Sequence, residues 1–168
     1  MRRNMNGPGW VLLTAIVALA FNPALAGKPP NEKSYTFNLI EANSAEDSFG
    51  NNMTVTGAGF FGTTGDVHGG GSFTETDLAG NIVASGHWQI TGFTNFESFG
   101  GPNPGFQGGI LDIKSLFVGN DGTEITRSMT ITCLVNRETG FPGLVEGVNI
   151  DDFDDSTGGF TLFHLNTR

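Results

Sequence analysis

The chain has 168 residues, 17 of them acidic and eight basic, and a formal net charge of −9. A chain this acidic repels phosphate backbones and anionic membrane surfaces, which argues against nucleic acid as a partner. Its single cysteine, Cys133, leaves no internal disulfide, so stability must come from the core.

The first residues read as a targeting segment. Arg2 and Arg3 are followed by an apolar run from Trp10 to Phe21, then Asn22-Pro23 and the small-residue exit Ala24-Leu25-Ala26. This is the order of a signal peptide with a cleavage site. The run is too short for a membrane-spanning helix, which needs ~20 residues. The expectation is an exported protein, extracellular, cell-surface or periplasmic, cut near Ala26. Its signal peptide is 1–26, its flexible polar tail 27–33 and its all-β domain 34–168. Cleavage removes Arg2 and Arg3 and leaves six basic residues against 17 acidic ones. No second apolar stretch predicts a stable membrane span.

From residue 34 onward the apolar period is two, the signature of strands with one buried and one wetter face. It runs through Tyr35-Phe37-Leu39, Met53-Val55, Ile82 to Ile90, Leu111 to Phe117, Ile125 to Val135, Leu144 to Ile150 and Thr161 to Leu165. Turn signals fall at Asn51-Asn52, Asp77 to Asn81, Gly119 to Gly122, Asn136 to Gly140 and Asp155 to Gly159. The spacing predicts about eight strands in a single antiparallel meander, forming a barrel or barrel-like sandwich. Glycines inside strand-like runs, among them Gly57, Gly59, Gly69, Gly70, Gly71 and Gly86, predict bulges, strong curvature or close backbone approach. The stretch Glu97 to Gly105 holds two prolines and three glycines, and reads as the longest loop and a candidate lid.

The chemistry-bearing residues form no standard motif. His68, His87 and His164 are isolated, and no strand–turn–helix nucleophile elbow is present. Glu146 and Arg127 are charged residues on otherwise apolar faces. A buried Glu146–Arg127 ion pair is one expectation and a general acid in a lumen the other, with His87 the remaining catalytic candidate. Trp88, Phe93, Phe96 and Phe99 crowd one region, with Phe60-Phe61, as a core or as the lining of an apolar ligand pocket. If the Thr126-Ser128-Thr130-Thr132 face and the His87 face look inward they line such a pocket; if outward, the interior is solid. Asp151, Asp152, Asp154 and Asp155 could give oxygens to a loop-borne calcium ion or simply solvate an edge. Asp152-x-Asp154-x-Ser156 begins like an EF-hand loop, but Thr157 and Phe163 stand where glycine and glutamate are needed. Cys133 lies on the apolar face of its strand and reads as a buried thiol. Asn52-Met53-Thr54 is a glycosylation sequon.

In strand rhythm, turn spacing and glycine content the chain resembles the exported eight-stranded barrels of the dirigent and allene-oxide-cyclase group. The resemblance implies a barrel and, as an alternative function, a barrel enzyme of that kind; it assigns no residue. The leading expectation is an exported, non-catalytic binding or structural module without a required cofactor, whose partner is a protein, a glycan or a small apolar ligand.

Overall fold

The computed structural model describes residues 32–136 and 144–167. The targeting segment and most of the tail lie outside them, as do residues 137–143. The described residues are all-β and antiparallel, with nine strands in one sheet. They are β1 (Ser34–Glu46), β2 (Asn52–Gly62), β3 (Val67–Thr76), β4 (Ile82–Asn103), β5 (Phe106–Gly119), β6 (Glu124–Cys133), β7 (Gly147–Ile150), β8 (Asp155–Gly158) and β9 (Thr161–Leu165). No helix among the described residues is long and apolar enough to cross a membrane.

The predicted meander holds from β1 to β6, where each strand pairs with the next. It breaks at the end of the chain. β9 returns to pair with β1 and touches β5 at Gln107↔Phe163, so β1, β2, β3, β4, β5 and β9 form a ring of six strands. At the other end of β1, β8 pairs Ala45 and Glu46, while β7 pairs β6. The β7–β8 hairpin thus spans from β6 to β1 beside β9. Alternation alone could not show this, because period two fixes faces and not neighbours.

Four connections share one turn. In each five-residue loop the first N–H donates to the fifth carbonyl, and the fourth N–H to the first carbonyl. The loops are Asp47–Asn51, Gly62–Asp66, Asp77–Asn81 and Gly119–Thr123, each with glycine fourth at positive φ. This is a type I turn closed by a left-handed residue, the usual three-residue hairpin solution. Gly80, at φ 81°, has nothing within 4 Å of where a Cβ would stand, so its requirement is conformational alone. Gly80→Ala is expected to cost roughly 1–2 kcal/mol, read as a lowered denaturation midpoint with an unchanged slope.

In two of these loops an aspartate leads and an asparagine ends. Asp77 Oδ1 accepts the N–H groups of Ala79 and Asn81, and Asn81 Nδ2 donates to the same carboxylate. Asp47 is held alike by Phe49 and Asn51. The Asn81 side chain and then its backbone N–H hold the Asp77 carboxyl below its ordinary value. For Asp47, partial dehydration works upward, but the hydrogen bonds from Asn51, Phe49 and Gly50 outweigh it. Because the folded value is the lower one, the contribution is complete above the unfolded carboxylate range and disappears as pH falls through the folded value. Asp77→Asn should therefore lower stability at neutral pH, and the difference from the parent chain should close as pH falls through that lowered carboxyl value, in thermal melts at matched ionic strength.

The core lies inside the ring. Phe61 of β2 stacks on Tyr35 of β1 at 5.2 Å and meets Phe96 of β4 at 4.6 Å and Phe163 of β9 at 5.9 Å. Trp88 of β4 is buried against Phe117 of β5, and its Nε1–H donates to the Thr56 carbonyl at 3.0 Å. The in-strand glycines make room for these rings. A Cβ on Gly57 would stand 2.7 Å from Trp88 Cζ2, and one on Gly59 would overlap the Phe37 ring. At Gly57 and Gly59 the expected close approach is therefore of aromatic rings as well as neighbouring backbone, and at Gly69, Gly70 and Gly71 it is of backbone carbonyls.

Of Glu97 to Gly105 only Pro104 and Gly105 turn the chain, and the rest is strand. β4 continues to Asn103 and pairs β5 throughout, with register shifts at Ile90/Gly92, Phe93/Asn95, Ser98/Gly100 and Gly100/Asn103. Its glycines sit where the strand bulges, and the bulges bend it. The bend brings Phe96 onto Tyr35, Phe61 and Phe163, so the expected lid is a strand closing one end of the core. Asp155 to Gly158, read as a turn, is likewise a strand pairing β1.

Candidate functional site

The predicted polar faces look outward. Thr126 and Ser128 are exposed while Met129, Ile131 and Cys133 are buried, and His87 is exposed beside buried Trp88. Thr132 departs from this pattern, being covered where Thr161 Oγ1 donates to its carbonyl. Of the aromatic candidates, Trp88 is a core residue, and Phe93 and Phe96 pack against the core. Phe99 is partly exposed, and its carbonyl accepts from Asn136 Nδ2 at 2.8 Å. These residues fill the ring.

Arg127 and Glu146 do not pair. Glu146 sits between the end of β6 and the start of β9. Its Oε2 accepts the Leu134 N–H at 3.4 Å, and its Oε1 accepts the Thr161 N–H at 3.2 Å. Its backbone carbonyl accepts from Ser156 Oγ of β8. Glu146 therefore ties β6, β8 and β9 together at the junction where the meander breaks. Glu146→Gln replaces one acceptor with a donor facing an N–H, and should cost about 1 kcal/mol in a thermal melt. Burial, with the Glu146 charge adding to it, pushes the neighbouring Cys133 thiol above its ordinary value. A thiol so placed is a poor nucleophile.

Arg127 points instead to the turn between β7 and β8. Its guanidinium carbon lies 5.4 Å from the centre of the Phe153 ring, and Nη1 is 3.9 Å from the Asp152 carboxylate. The turn is sharp, with Asp151 at φ 40° and Phe153 buried. Asp151 receives the Ser128 N–H on its carboxylate and donates its own N–H to the Ser128 carbonyl. Residues 151–154 turn the chain between β7 and β8. Asp155 begins β8, and the Asp154 carbonyl accepts from Asn149 Nδ2. Among the described residues no three His, Cys, Asp or Glu side chains gather so as to hold a metal ion.

The structure gathers a different surface from these parts. The β1–β2, β3–β4, β5–β6 and β7–β8 turns lie at one end of the ring. A groove of about 470 Å³ opens there, lined by Asp47, Phe49, Glu75, Arg127, Phe153 and the carboxylates of residues 151, 152 and 154. A smaller cleft of about 110 Å³ adjoins it, sharing Glu75 and Arg127. Phe49 is 80% exposed and Leu78 79% exposed. Leu78 lies over Gly50, since a Cβ there would be 2.6 Å from its Cδ1. The sequence marked Arg127, Glu75 and the four aspartates as charged candidates but did not single out Phe49 and Leu78. An apolar residue inside an Asp-x-x-Gly-Asn turn was the available signal, since such a position cannot reach the core.

The fold and this surface define a glycine-relieved, aromatic-filled antiparallel ring with one acidic, apolar-tipped end. No family model, curated protein or solved structure matches the chain.

Proposed function

We propose that this chain is an exported, non-catalytic β-domain that acts through its surface as a binding or structural module. The observation that carries the reading is the filled interior. Tyr35, Phe37, Phe61, Trp88, Phe117 and Phe163 are all buried within the ring, and the polar faces of β4 and β6 point mainly to solvent. A ring packed in this way has side chains where a lumen ligand would sit. Glu146 is engaged by backbone N–H groups, and His87, exposed on the outer face, has no hydrogen bond or ion pair to an acid or nucleophile among the described residues. Export rests on the order of charges and apolar residues before Ala26, and the acidic surface favours proteins or glycans over nucleic acid. In this reading the six-strand ring, closed further by the β7–β8 hairpin, behaves as a small barrel-like unit.

Trp88 fluorescence tests the interior directly. Titration with an apolar dye or a spin-labelled fatty acid should leave the buried indole unquenched. Saturable one-to-one quenching would make the ring a ligand carrier and overturn the reading.

A further inference from the structure

The turn-end groove combines features that a free surface rarely keeps together. Phe49 and Leu78 are large apolar side chains almost fully in water, carried on adjoining rigid turns whose hydrogen bonds fix them there. Exposed apolar side chains held in place, and rimmed by polar groups, mark contact sites. The rim here has one sign. Five carboxylates, those of Asp47, Glu75, Asp151, Asp152 and Asp154, line the groove against one cation, Arg127. Glu75 is half-buried on the wall, and its carboxylate has no hydrogen bond or ion pair among the described residues.

Arg127 shows what the groove accepts. Its guanidinium already lies over an aromatic ring and beside a carboxylate, which is how an arginine of a partner would be held. A second copy of the chain, docked by the same end, would bring like charges together. Resting on the surface-module reading, we infer that the turn-end groove is a docking site for a basic, apolar segment of a partner protein. Phe49 and Leu78 cover the apolar side chains of that segment, and the free carboxylates of Glu75 and Asp154 take its lysine or arginine groups.

The test is a titration of the 15N-labelled full chain with an acetylated peptide of alternating arginine and leucine. An alternating glutamate–leucine peptide serves as the control. Saturable shifts are expected at residues 47–51, 75–78 and 151–154, with affinity falling about tenfold from about 50 mM to about 500 mM salt. Phe49→Ser and Glu75→Gln should each weaken binding, Phe49→Ser by about tenfold. Phe106→Ser, at the opposite end and also exposed, should not. The assignment falls if the basic peptide does not bind saturably, if its shifts lie elsewhere, or if Phe49→Ser leaves affinity unchanged. It falls equally if the chain alone self-associates and Phe49→Ser abolishes that, since the occupant is then a second copy. In any of these cases a partner found on another face would leave the surface-module reading standing, whereas saturable Trp88 quenching by an apolar ligand would remove it.

Discussion

Phe61→Ala is expected to destabilise the chain by about 3–5 kcal/mol, the range for truncating a large buried aromatic. Phe61 packs against Phe163, the β9 residue that meets β5 where the ring closes. It touches Tyr35 of β1, Phe93 and Phe96 of β4, and Phe163 of β9. β9 meets β5 at a single residue pair, so side-chain packing must hold that seam more than the backbone ladder does. The loss should therefore be uneven. Hydrogen exchange at residues 161–165 and 93–99 should accelerate more than at 111–117, where β5 is bonded on both sides. Uniform acceleration would show that the seam opens only with the whole molecule.

Gly57→Val is expected to cost about 3 kcal/mol or more, by two routes that add. At φ 157° the backbone is one that side-chain-bearing residues rarely adopt. The new Cβ would also stand 2.5 Å from the Gly70 carbonyl oxygen and 2.7 Å from Trp88 Cζ2, and overpacking of a filled core costs about 1–3 kcal/mol. The indole has little freedom to yield, because its N–H is bound to the Thr56 carbonyl one residue away. The consequence can be read separately from stability. Trp88 is the only tryptophan besides Trp10, and its emission should shift to longer wavelength as the indole loses that bond and meets water. In a Trp88→Ala background Gly57→Val should cost less, since one of the two obstructions is gone.

The strands were legible in the sequence because each carries its own alternation, and β1, β5 and β6 lie where Tyr35-Phe37-Leu39, Leu111-Ile113 and Met129-Ile131 place them. The closure was not legible. Leu162 and Phe163 announce a buried strand, but nothing in them says that it enters between β1 and β5. The prolines and glycines at 97–105 suggested a loop because they are bend-formers, and they do bend the chain, within a strand. Glu146 and Arg127 stood out as charges on apolar faces, yet their partners, the Leu134 and Thr161 N–H groups and the Asp152–Phe153 turn, come from segments that only the fold brings near. The groove was half legible: its carboxylates are a visible run, whereas Phe49 and Leu78 gain meaning only once their turns share one end.

Native mass spectrometry of the protein exported by its own host tests most directly whether a filled domain works through its surface. A folded chain beginning near Gly27 is expected, with the mass of the polypeptide alone or of the polypeptide with a bound protein or glycan. A small organic molecule retained one-to-one by the folded chain would contradict it, because the aromatic interior would then have to open to hold it.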